Sequence, residues 1–395
     1  MPPSSPARKK SAAGDSASQA FAAMSRAAIG APRKAPAKKA VAKKAAGKKA
    51  ATARGAARVA APPVSPALAR ATAKAIGLGA KQAEWVIARR GAALATRARA
   101  VARAAKPAPE LHVVGGRKAP AKKAVAKKAT AARTATAVRA GTSRGVLVAE
   151  GDSWFDYPFH DVLKELDDSF GWEIEHVAHY GHTVESMAYD GGQLDDFVRA
   201  IEKVARRGET PRAILLSGGG NDVAGEGFGM LVNHRSSPVH GLEPKVLEGI
   251  VETRVRTAYA TILAAVTTAC EQLVGAKVPI LLHGYDYPVP DGRGLLGGWG
   301  PLPGPWLQPG FAEKGYDDLA ERIGLTRELI DRLYAMLASV VALPPFAHVK
   351  LVDLRESLST ELASNRYKAW WGNELHPTHQ GFTKVAGLFD AAIGP

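Results

Sequence analysis

From Gly145 onward, short apolar runs alternate with longer stretches in which apolar residues return every three or four positions. These are the patterns of a buried strand and of an amphipathic helix. Strands are predicted at 145–150 (GVLVAE), 172–177, 213–216 (AILL), 278–282 and 349–352. Helices are predicted between them: over 159–170, where Phe159, Val162, Leu163 and Leu166 share a face, over 184–207, within 245–274, near 316–343 and over 380–392. Apolar strands separated by helices imply a mostly parallel sheet covered on both faces. Ligands of such sheets bind beyond the carboxyl ends of the strands.

Before Gly145 the pattern fades. Over 65–106, Ile87, Leu94 and Val101 recur every seven residues with Gly91 and Ala98 between them, which predicts a marginal helix with one narrow seam. Gly91 alone costs such a helix about 1 kcal/mol relative to alanine. Arg89, Arg90, Arg97 and Arg99 surround the seam and suit it to a partner or an anionic surface.

Charge sharpens the division. Residues 1–143 carry 31 of the 53 Lys and Arg but 3 of the 37 Asp and Glu, a formal +28 against −12 for the remainder. They hold 2 of the 26 aromatic residues, too few to bury the area that offsets chain entropy. A two-domain enzyme filling all 395 positions is thereby excluded. The expected organisation is a basic Ala/Lys/Arg-rich arm over 1–143, disordered or marginally helical, followed by one globular domain over 144–395. The string RKAPAKKAVAKKA occurs twice, at 33–45 and 117–129. Paired lysines on alanine spacers are the footprint of a non-specific binder of DNA or another polyanion. In composition the arm resembles linker-histone tails.

Cys270 is the one cysteine, which excludes a disulfide framework or a multi-cysteine metal site. No secretory signal and no run of about 18 apolar residues is present, so a soluble, cytoplasmic protein is expected. Neither cofactor nor resident metal is expected. Gly218-x-Gly220 is followed by Val223 where the dinucleotide fingerprint requires glycine, and no Gly-Lys-Ser/Thr occurs. His376, His379 and Glu374 lack a further converging ligand in the sequence.

The strand exits carry the chemistry. A serine that attacks an acyl carbon needs a base for its proton and donors for the oxygen that becomes negative. Ser153, in Gly151-Asp152-Ser153, stands between a strand end and a helix start, which offers its own N–H and the helix's positive end. Gly181 offers a backbone donor that no side chain obstructs, Asn221 an uncharged side-chain donor, and His376, before the last helix, a base.

These four blocks, Gly151-Asp152-Ser153, Gly181, Gly220-Asn221-Asp222 and His376-Pro377, resemble those of the SGNH/GDSL hydrolases over about 145–395. The resemblance implies a flavodoxin-like three-layer α/β/α sandwich and serine-dependent hydrolysis of an ester substrate. A polyanion binder on a catalytically weak scaffold is the alternative. The family has Asp three residues before the histidine, where this chain has Asn373. Either Asn373 orients the ring in a Ser–His dyad, or Glu374 or Asp353 supplies the acid, or turnover is slow; the first is favoured. The Gly/Pro-rich stretch 283–310 has the length of a functional lid. Its Tyr285, Tyr287, Trp299 and Trp306 are expected to line the substrate site, with Trp370 and Trp371 approaching from the histidine side.

Overall fold

The computed structural model describes residues 64–104, 143–190, 192–297 and 302–395; both copies of the 13-residue string, and Trp299, lie outside them. The first described element, α1 (Pro66–Ala104), precedes the α/β body. In the body, β1 (Val146–Glu150), β2 (Glu173–His176), β3 (Ala213–Leu216), β4 (Ile280–His283) and β5 (Val349–Val352) form one parallel sheet in the order β2-β1-β3-β4-β5. Every residue of β1, β3 and β4 is buried, as strands covered on both faces require, whereas edge strand β2 (EIEH) is only partly buried. On one face α2 (Val162–Asp168) packs against α7 (His379–Ile393). On the other, α3 (Val184–Tyr189), α4 (Gln193–Ala205) and α6 (Leu319–Val341) gather around α5 (Arg256–Leu273). The result is a three-layer α/β/α sandwich.

Two helices depart from the periodicity. Phe159 adopts a positive φ of 74°, so α2 starts three residues later, where the Asp161 side chain accepts from Lys164 N at 2.8 Å. The apolar pattern over 184–207 is split into α3 and α4, with Gly192 at φ 147° just before α4.

The larger correction concerns α1, which lies along α5 in the same compact unit as the sheet. The boundary read at 143/144 therefore assigns to the arm a helix that packs with the body. Its buried stripe is Thr72, Ala75, Gly79, Ala83 and Val86. The expected seam is not that stripe: Ile87 and Leu94 are half-buried, and Gly91, Ala98 and Val101 are exposed. Small residues win because the helices touch backbone to backbone: a Cβ on Gly79 would stand 2.0 Å from the Thr261 carbonyl oxygen. Polar contacts fix the crossing. The buried Arg256 donates to Thr72 Oγ1 at 3.2 Å and to Ser339, and Arg89 and Arg90 pair with Asp195 and Glu202 on α4. Among the described residues no helix is long and apolar enough to cross a membrane.

Candidate active site

Ser153 follows β1 in a tight turn in which Phe155 N and Asp156 N both donate to Asp152 O at 3.0 Å. This turn, rather than a helix, stands behind the serine. Ser153 is half-buried, and its Oγ lies 2.8 Å from His376 Nε2. The histidine is carried by a loop that folds back on itself through a Trp371–Pro377 bridge and a Gly372 N to His376 O bond of 2.9 Å. Trp154 Nε1 donates to Leu375 O at 3.1 Å and pins that loop to the serine turn.

Asn373 Oδ1 accepts from Leu375 N and His376 N, both at 2.9 Å, and lies 3.0 Å from His376 Nδ1. Backbone N–H groups can only donate, so this atom is the amide oxygen and Nδ1 carries the imidazole proton. Nε2 is then the acceptor for the Ser153 hydroxyl proton. Asn373 Nδ2 donates to Tyr157 OH at 2.9 Å, and the Tyr157 ring stacks on His376 at 4.0 Å. Trp306 meets the same imidazole edge to face at 5.4 Å. Burial pushes the His376 pKa down to about 3.

Neither alternative acid faces His376. Asp353 is engaged by the Arg355 guanidinium at 2.9 and 2.8 Å. Glu374 is fully buried and accepts four backbone N–H groups, from Gly292 (2.9 Å), Trp306 (2.7 Å), Leu307 (2.9 Å) and Gln308 (3.1 Å). Burial raises its carboxyl above the ordinary range and the four donors oppose that rise. Its work is to hold the Gly/Pro segment against the histidine loop, assisted by Arg293 Nη1, which donates to Trp371 O and Gly372 O.

Asn221 Nδ2 donates to His182 O at 2.9 Å, which ties it to the residue after Gly181 and leaves its second amide hydrogen for a ligand. Gly181 has φ 80°, and nothing lies within 4 Å of where a Cβ would stand. Beneath these groups Asp152 Oδ1 accepts from Trp154 N at 3.0 Å and from Ser217 Oγ at 2.8 Å, and Oδ2 from Tyr285 OH. Tyr285 OH in turn accepts from Gly220 N at 3.0 Å. Tyr285 N donates to His283 Nδ1 at 3.2 Å, so the ring proton is on Nε2 and points to Ser217 Oγ at 2.9 Å. This network joins the ends of β1, β3 and β4 below the serine.

A cavity of about 50 Å³ opens beside Ser153, Asn221 and His376, with walls from Val223, Ala224, Leu307, Leu329, Ile330 and Leu375. Trp306 touches the His376 ring but is not among the residues that line the cavity. Nor is Tyr287: it is buried, donates to Asp331 at 2.8 Å and is covered by Arg327 at 4.3 Å. Tyr285 borders the cavity, but its hydroxyl is spent on Asp152 and Gly220. Sequence reasoning missed Tyr157 and the Asp152–Ser217–His283 network, whose residues stand apart in sequence and carry no motif beyond Asp152 itself.

No protein-family model matches the chain, nor does any curated protein. Among solved structures it is similar to Axe2, an acetyl-xylooligosaccharide esterase from Geobacillus stearothermophilus (15% identity, 64% of this chain and 95% of that one, TM-score 0.35). It is also similar to LAE5, an alpha/beta hydrolase enzyme from the metagenome of Lake Arreo (16%, 64% and 96%, 0.33), and to a candidate SGNH hydrolase from Slackia heliotrinireducens (12%, 63% and 99%, 0.37).

Proposed function

We propose that the protein is a serine hydrolase of SGNH type that cleaves carboxylic esters with short acyl groups. The observation that carries this reading is the half-buried Ser153 hydroxyl, bonded to the unprotonated nitrogen of an oriented histidine at the mouth of a small apolar cavity. Ser153 Oγ attacks the ester carbon as its proton passes to His376 Nε2. The carbonyl oxygen becomes an oxyanion, for which Ser153 N–H, Gly181 N–H and the second Asn221 amide hydrogen are the proposed donors. Collapse expels the alcohol, which takes the proton from His376. Water, deprotonated by the same nitrogen, then releases the acid and restores Ser153, so the balance is ester plus water to acid plus alcohol.

His376 works without a carboxylate. Asn373 fixes the tautomer, and the passing imidazolium has no negative partner, which favours handing the proton on over retaining it. A cavity of about 50 Å³ with apolar walls suits a short acyl group such as acetyl or propionyl. The test is hydrolysis of a p-nitrophenyl ester series together with fluorophosphonate labelling. Turnover is expected to be highest for acetate and to fall steeply beyond butyrate, with the label on Ser153 and Asn221→Ala slower by about 100- to 1,000-fold. Labelling elsewhere, or full turnover in Asn221→Ala, overturns the assignment.

The lysine pairs that flank α1, at 33–45 and 117–129, support a second role for those stretches, a tether to DNA or another polyanion. Binding is then expected to weaken linearly in log salt at about −0.9 per neutralised phosphate, read from mobility shifts at several salt concentrations.

A further inference from the structure

Behind the histidine loop, His160, Glu165 and His379 bring one ligand atom each to within 4.8 Å of one another. His379 Nε2 lies 3.0 Å and His160 Nδ1 3.4 Å from the same Glu165 oxygen, Oε1. Ligands of a tetrahedral zinc, at bond lengths of about 2.0–2.1 Å, stand about 3.3 Å apart, so two edges of such a tetrahedron already exist. The other carboxylate oxygen, Oε2, accepts from Thr383 Oγ1 at 2.8 Å and from Ser169 Oγ at 3.3 Å, which holds Oε1 toward the imidazoles in the manner of an outer shell orienting a metal ligand.

Charge points the same way. Glu165 is buried, and among the described residues its ion-pair partners are these two histidines. The imidazoles are stacked face to face at 3.9 Å, so the exposed rings would turn slightly to aim both lone pairs at one ion. A divalent cation would give that buried carboxylate a counter-charge. The side chains of His160 and His379 are 45% and 60% exposed, which leaves an entry path and room for a water as fourth ligand.

We propose that His160, Glu165 and His379 form a binding site for Zn²⁺ or a similar divalent transition metal. The site joins the segment after Ser153 to the first residue of α7, three positions after His376, so a bound cation would clasp together the two loops that carry the serine and the base. Glu374 and His376, considered in the sequence as ligands with His379, are engaged elsewhere. The proposal stands apart from the esterase reading, because metal binding is read without turnover.

The experiment uses the full chain, purified without a polyhistidine tag and stripped with chelator, and titrated with Zn²⁺ by calorimetry and equilibrium dialysis. One Zn²⁺ per chain is expected, with a melting temperature that rises as Zn²⁺ is added. His160→Ala and His379→Ala should each weaken binding by about tenfold or more and remove the thermal shift, and Glu165→Gln should do the same while keeping the side chain's size. Melting in chelator shows whether each variant is folded; if one is not, the other two decide. Absence of submillimolar binding, or affinity and stoichiometry unchanged in the folded variants, overturns the site.

Discussion

Two serine–histidine pairs lie at the carboxyl ends of the strands, and their hydrogen bonds run in opposite directions. Ser153 donates to His376, whose far nitrogen donates to Asn373. His283 donates to Ser217, which donates to Asp152, because the backbone N–H of Tyr285 occupies the nitrogen that would otherwise accept. The residue types are nearly the same, and the second pair even has the carboxylate that the first lacks. Ser217 is nevertheless fully buried with its proton committed to Asp152, whereas Ser153 is half-buried at a cavity and faces an empty lone pair. On the proposed reading, access and tautomer, rather than the list of residues, separate a nucleophile from a strut.

The largest effect that could break this comparison is on turnover. Ser153→Ala should lower ester hydrolysis by about 10,000-fold or more and leave the fold intact, whereas Ser217→Ala should leave turnover within a few-fold. Ser217→Ala should instead cost about 1–3 kcal/mol in urea unfolding, since it strips a donor from buried Asp152. Comparable loss of activity in both variants would contradict the assignment of roles.

Next in size is the neutral orienting residue. Asn373→Ala should slow turnover by about 10- to 100-fold, part of the 100- to 10,000-fold that positioned proton transfer contributes. Asn373→Asp should keep or raise activity, because Tyr157 OH can donate to the new oxygen. Its clearest sign is the pH profile. The pKa of His376, lowered to about 3 by burial, keeps the wild-type base neutral well below pH 6, and the aspartate should move the acid limb upward toward the ordinary histidine range. An unmoved limb would mean that position 373 does not govern the base.

The clamp on the roof of the cavity gives a smaller effect. Glu374→Gln should destabilise by about 1.5–3 kcal/mol, with faster hydrogen exchange at 306–308, as one acceptor oxygen becomes a donor facing N–H groups. If Glu374 were the catalytic acid, the loss would fall on turnover with exchange unchanged.

The subtlest prediction treats both histidines alike. The pKa values of His283 and His376 are each lowered to about 3 by burial. Since both folded values lie below the unfolded 6.5, the unfolded chain binds more protons between those limits, and stability falls as pH falls through that window. From pH 7 to pH 5 each should cost about 2 kcal/mol, read from urea unfolding at the two pH values. A loss of half that size would show that one ring is solvated, and a flat stability over that range that both are.

The strand positions, and the strand exits and loop that bring Ser153, Asn221 and His376 together, were legible because each rests on local signals: short apolar runs, glycines at strand exits, and a His-Pro before the last helix. Three features were not. The α1 stripe was misread because a seven-residue recurrence of large residues drew the eye, while the contact depends on Gly79, whose value lies in what it lacks against Thr261. Tyr157 follows Ser153 by four residues and is set on the imidazole by tertiary packing. Tyr287 reads like Trp306 in the sequence, but Asp331 and Arg327 draw it away.

The four-donor grip of Glu374 has a consequence for how the site opens. Glu374 is fully buried, so displacing Trp306, Leu307 and Gln308 would strip three N–H donors from a carboxylate shielded from solvent, and the strain would fall on the residue next to Asn373 in the chain. The Gly/Pro segment and the histidine loop are thereby coupled through one carboxylate. Loosening that segment would also loosen the turn that carries Asn373 and His376, so on the proposed reading the same carboxylate that holds the cavity wall keeps the base in place.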